Sequence, residues 1–314
     1  METIGSPGLW AAFIGFVILM LALDLGVFHR KSHVVGFKEA AIWSSIWVGL
    51  ALLFSGWVFL DFGTVKGTEF LTGYVIEKSL SIDNIFVFVM IFGALGIPAL
   101  YQHRVLFWGI LSALVLRALM IWGGAAALER FHWLIYVFGG FLVLTGLKMF
   151  VTRHNATSPA ESKLLAFARK IIPSTTRLDG DRFFTRENGK RLATPLFMAL
   201  LLVELTDVIF AVDSIPAIFA ITTDPFIVFT SNIFAILGLR SLFFMLAGLV
   251  DRFRYLKVGL ALVLVFVGIK MLIMDVYKVP PGISLLIILA ILGTSIVASL
   301  AATRREARAL DGGR

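Results

Sequence analysis

The chain has no cysteine, little charge and few histidines, and each shortage removes a class of chemistry. Without cysteine there is no disulfide framework, no thiolate metal site and no redox centre built on sulfur ligands. The five histidines, His29, His33, His103, His132 and His154, fall at the ends of apolar runs or between them, so nothing points to a histidine-rich zinc site. No nucleophile-and-base pair, His-Glu-x-x-His or phosphate-cradling glycine loop is present, and the chain reads as a non-enzyme without a cofactor. Charged residues make up 15% of the 314 and hydrophobic ones 59%, where soluble domains run nearer about a quarter and about half. That apolar excess has to face lipid.

What is present is a succession of apolar runs of about twenty residues, enough to cross roughly 30 Å of hydrocarbon. Nine spans are expected, at 8–27, 40–60, 70–93, 105–127, 132–150, 193–221, 226–249, 256–274 and 283–302. The fold class is therefore all-α, a polytopic membrane protein. Residues 1–8 carry no Lys or Arg, so the first span reads as a retained helix and not a cleaved signal. The net charge of +8 is a matter of position. With the N-terminus outside and the C-terminus in the cytoplasm, the cytoplasmic segments hold 21 of the 28 Lys and Arg, and the outer loops only Lys66, Arg130 and Lys278. The basicity is a topology signal and not a nucleic-acid footprint; the partner it implies is the bilayer, and the oligomeric state is left open.

One long hydrophilic segment, 151–191, separates the fifth and sixth spans. Ser158, Pro159 and Glu161 there read as the N-cap, first turn and capping-box partner of a short amphipathic surface helix ending before Pro173. On either side of it an internal repeat is visible. Gly146-Leu147-Lys148-Met149 recurs as Gly268-Ile269-Lys270-Met271, and Arg117 as Arg240, at displacements of 122 and 123; Glu77 and Asp83 recur as Asp207 and Asp213 at 130. The shift is three spans, an odd number, so the second unit crosses in the opposite sense, which makes an inverted 3+3 repeat. The expected divisions are a two-helix addition (1–69), repeat A (70–150), the basic loop (151–191), repeat B (192–275) and a final helix with a tail (276–314).

Six acids fall inside spans: Asp24, Glu77, Asp83, Glu204, Asp207 and Asp213. Each costs roughly 2.5–3.5 kcal/mol at a helix centre, so they should face an interior or water. The alternative, that they merely pair with Lys78, Arg117, Arg240 and Lys270, leaves at least two acids over, the more so if Lys270 snorkels to the interface. With Asn84, Ser214 and Asn232 the acids form an oxygen-donor set suited to a hard divalent cation, while Arg117 and Arg240, with Asp24, are charge partners. Six residues turn a helix by about 600°, placing Glu77 and Asp83, or Asp207 and Asp213, some 120° apart. Either the helix is interrupted between them, as Pro216 would favour in the sixth span, or each pair forms two levels of a path.

Glu77-Lys-Ser-Leu-Ser-Ile-Asp-Asn84 and Glu204-Leu-Thr-Asp-Val-Ile-Phe-Ala-Val-Asp-Ser-Ile-Pro216 resemble the TerC family of bacterial integral membrane proteins, with support from 22–30 and 229–240. The resemblance, to the Alx type, implies a Mn²⁺ exporter of the bacterial cytoplasmic (inner) membrane that uses Glu77, Asp83, Glu204, Asp207 and Asp213 for the metal; that unpaired carboxylates stay protonated in hydrocarbon and ionise around a cation offers, independently, a route to proton coupling. Relatives are linked to tellurium resistance, although tellurite is an anion and suits an acid-lined path poorly. Others are linked to metal loading of exported proteins, which implies the alternative of a membrane scaffold.

Overall fold

A computed structural model describes residues 3–28, 35–131, 133–151, 170–187, 189–247 and 255–311; the side chains of residues 24–28, Asp83, Val151 and 304–311 also lie outside the description. The capping signal at Ser158–Glu161 falls outside the described residues. Helices dominate because backbone polar groups at membrane depth must be satisfied within the segment itself.

In chain order the helices are α1 (Pro7–Phe28), α2 (Phe37–Ala94), α3 (Ala99–Arg130), α4 (Leu134–Val151), α5 (Pro195–Phe219), α6 (Pro225–Ile236), α7 (Leu239–Leu246), α8 (Leu256–Leu272) and α9 (Pro281–Asp311). Among the described residues, each expected span overlaps helix. The segments Phe37–Ala94, Ala99–Arg130, Pro195–Phe219, Pro225–Leu246 and Pro281–Thr303 are long and apolar enough to cross a membrane. Several helices begin at proline, whose missing N–H is no loss in a first turn. Asp224 caps α6 by accepting from the Phe226 backbone N–H at 3.0 Å, and it also receives Thr3 Oγ1 at 2.7 Å and Lys66 Nζ at 3.4 Å, tying the chain start to this corner.

The second and third spans are the two arms of α2, which double back on each other at Gly63 (φ 86°, ψ 174°), a conformation open only to glycine, so that the rings of Phe54 and Phe70 meet at 5.1 Å. Two features depart from the expectation. The interruption expected at Pro216 is not there: α5 runs on to Phe219, because the proline sits in its last turn and has little helix left to disrupt. The break falls instead in the seventh span, between α6 and α7, where Leu237 leaves the helix and Gly238 adopts φ 82°. Finally, the basic loop ends in an antiparallel hairpin of β1 (Phe184–Glu187) and β2 (Lys190–Ala193), with Phe184 opposite Ala193 and Glu187 opposite Lys190. Arg104 of α3 pairs with Asp181 beside it, and Thr194 Oγ1 donates to the Arg182 carbonyl at 2.7 Å, so the hairpin is anchored to the helix ends.

Helix packing follows a pattern. α2 packs on α6, α3 on α5, and α4 on α8; exchanging 70–150 with 192–275 leaves these pairings unchanged. A Cβ added to Gly268 would meet the Gly139 carbonyl oxygen at 2.7 Å, and one added to Gly146 would meet that of Ala261 at 2.7 Å. The displacement of 122 carries 139 to 261 and 146 to 268, so the same contact occurs twice along one seam. Lys270, expected to reach the interface, is buried at 8% exposure two residues beyond Gly268 in this closely packed pair.

Candidate cation site

Arg117, near the middle of α3, is 1% exposed and lies where α2, α3, α5 and α6 meet. Its guanidinium fork grips Asp207 twice, Nη2 to Oδ1 at 2.9 Å and Nε to Oδ2 at 3.3 Å, while Nη1 donates to Glu77 Oε1 and, at 3.3 Å, to Asn232 Oδ1. Planar, bidentate geometry of this kind is what a guanidinium offers and an ammonium does not. Glu77 and Asp207 are the pair that the sequence displacement of 130 residues aligns, so one buried cation sits between those two carboxylates.

The remaining acids are held differently. Ser112 Oγ donates to Glu204 Oε1, and Thr145 Oγ1 lies 3.3 Å from Asp213 Oδ1. Asp207 therefore faces α3 and Asp213 faces α4 from one continuous helix, the two-level arrangement that their spacing allows. Within the spans several buried polar atoms have no hydrogen-bond partner among the described residues: Glu77 Oε2, Asn84 Oδ1, Glu204 Oε2, Ser214 Oγ and Asn232 Nδ2. An unsatisfied buried group costs roughly 1–3 kcal/mol, so such a concentration calls for an explanation. Arg240 is buried just past the α6–α7 break. The side chains of Asp24 and Asp83 lie outside the described residues, and among the described residues no three His, Asp or Glu converge closely enough to hold a metal ion.

Ser112 and Thr145, the hydroxyl partners of Glu204 and Asp213, were not anticipated. Lys78 was expected only as a candidate partner of an acid; its Nζ donates instead to the Ala235 backbone carbonyl at 3.2 Å, beside the α6–α7 break.

A helical bundle with long apolar spans and a buried carboxylate–guanidinium centre defines a polytopic integral membrane protein. The chain belongs to the integral membrane protein TerC family, whose sequence profile matches residues 62–307. It is 68% identical over 307 residues to the membrane protein STKORF319 of Myxococcus xanthus, covering 97% of this chain and 96% of that one. It is 48% identical over 301 residues, 93% of this chain and 94% of the relative, to a protein of Escherichia coli K12 named "putative membrane-bound redox modulator Alx". A membrane protein of Rickettsia bellii is 44% identical over 291 residues, 93% and 96% of the two chains. No solved structure matches the chain.

Proposed function

We propose that the protein exports a divalent cation, Mn²⁺ foremost, across the bacterial cytoplasmic membrane, with its N-terminus outside and its C-terminus in the cytoplasm. The observation that carries this reading is the Arg117 guanidinium seated between Glu77 and Asp207. Carboxylates that have no structural need of the bilayer interior are costly there; a pair already stabilised by a cation is a seat in which one cation can replace another. In the present arrangement Arg117 fills that seat, which accounts for the scattered remaining oxygens. Movement of α3 relative to α2 and α5 would withdraw the guanidinium and free Glu77 and Asp207 for a passing ion. Asp83, Asn84, Glu204, Asp213, Ser214 and Asn232 supply further hard oxygen donors along the path.

Metal binding requires ionised carboxylates, and carboxylates left without a cation take up protons, so proton exchange is the natural return step. The inverted repeat gives a means of alternating access, the two units rocking about their shared centre. The Alx relatives are named for redox modulation; this chain has no cysteine, so such an effect would not run through a thiol of its own.

The test is flux by the purified protein in liposomes, across Mn²⁺, Mg²⁺ and Ca²⁺. A transporter moves Mn²⁺ unaided, and Asp83→Asn and Asp213→Asn slow it. A scaffold that only helps other proteins acquire metal moves none.

A further inference from the structure

Lys78 is a charged residue within the membrane bundle that takes no part in the Arg117 network. It follows Glu77 on α2, is partly buried, and makes no ion pair among the described residues. Its ammonium rests on the carbonyl of Ala235 in the last turn of α6. That turn ends at the break: Leu237 N–H closes on the Ile233 carbonyl at 2.8 Å, and beyond it Gly238, with φ 82° and Trp47 atoms 2.6 Å from where a Cβ would stand, turns the chain away. The exposed carbonyls of a half-helix end are negative, and in transporters built on broken helices such ends face cations. Here the cation is tethered.

The same half-helix carries Asn232, which accepts from Arg117. Three residues separate Asn232 from Ala235, about 4.5 Å along the axis, so the guanidinium and the ammonium lie against neighbouring stretches of one helix. Ionised, Glu77 and Asp207 together balance Arg117 and Lys78, and the group is neutral as it stands. A divalent ion entering it brings uncompensated positive charge. On the transport reading Arg117, held here by four hydrogen bonds to Glu77, Asp207 and Asn232, leaves before the ion enters, whereas Lys78, held by one carbonyl, stays, so that two carboxylates face a divalent ion and an ammonium with one positive charge in excess.

Resting on the transport reading, we propose that Lys78 sets the ion's affinity and turnover: a tethered cation beside the Glu77–Asp207 seat that weakens binding of the passing divalent ion and speeds its release. A repulsive charge destabilises the bound state, so where release limits the rate its removal lowers both KM and the maximal rate.

Initial Mn²⁺ flux in proteoliposomes would be measured against concentration for the wild type and for Lys78→Met, Lys78→Gln and Lys78→Arg. Glutamine keeps a donor for the Ala235 carbonyl while removing the charge, which separates charge from packing should the methionine variant fail to fold. The expected result is a KM lowered about tenfold or more in Met and Gln, the scale on which one close charge shifts a buried ionic equilibrium, with a reduced maximal rate and restoration of both by Arg. A purely structural role would lower the rate without tightening KM. Unchanged or raised KM in the neutral variants, with wild-type flux intact, overturns this inference alone. Absence of wild-type flux overturns the transport reading and this inference with it.

Discussion

A carboxylate buried in hydrocarbon needs a partner, and Glu77 and Asp207 share theirs. Removing one member of a buried ion pair leaves an uncompensated charge, at a cost of about 3–5 kcal/mol. Arg117→Met is accordingly expected to lower the unfolding free energy by about that much, seen as a lower unfolding midpoint in detergent, and adding Glu77→Gln and Asp207→Asn to the same chain should recover part of it, because the three residues act as one network. A midpoint unmoved by Arg117→Met would show that the centre is not a structural unit. The acids and Arg117 are legible in the sequence because an ionised group inside an apolar run is conspicuous. Ser112 and Thr145 are not: a helical hydroxyl ordinarily bonds back to its own helix, and Ser112 Oγ also does so, to the Trp108 carbonyl at 2.7 Å. Nothing in the local sequence tells which hydroxyl will also meet an acid across the bundle.

At the scale of elements, the apolar runs mark the helices well, but not where they bend. Pro216 suggested a break that α5 does not make, while Gly238 lies within an expected span, where glycine is common, and Gly63 in the connection between the second and third spans. Both have positive φ, which costs an L-residue roughly 1–3 kcal/mol. They differ in surroundings: nothing lies within 4 Å of a Cβ at Gly63, whereas Trp47 atoms stand 2.6 Å away at Gly238. Gly63→Ala should therefore show strain alone, and Gly238→Ala a distinctly larger loss of thermal stability, read by parallel melts of the two variants. Equal losses would mean that Trp47 yields freely. The β1–β2 hairpin was missed although Asn188-Gly189 is a strong hairpin dipeptide, because its basic surroundings read as a tethering loop.

For the whole molecule, the repeated motifs at displacements of 122 to 130 residues anticipate helix pairings that survive exchange of the two units. The α4–α8 seam is the place where this can be probed by packing. Gly268 has a backbone oxygen 2.7 Å from where a Cβ would stand, so neither side can yield cheaply. Gly268→Val is expected to separate the two helices and lower the melting temperature, and Gly146→Val, at the equivalent contact, to do the same by a similar amount; a large effect at one and none at the other would argue against equivalence. The centre where the units meet was legible as a set of acids. Arg117 and Arg240 were both legible as charge partners; that Arg117 is the one seated between Glu77 and Asp207 was not, since the sequence holds no rule for choosing between them.

The central claim, that paired carboxylates from two units form the seat of a moving cation, is tested most directly by Mn²⁺ flux into liposomes containing the wild type, Glu77→Gln or Asp207→Asn. The account predicts flux from the wild type that is reduced by about tenfold or more in either variant, as removal of a charge from a buried cation seat requires. Wild-type rates from both variants would contradict it.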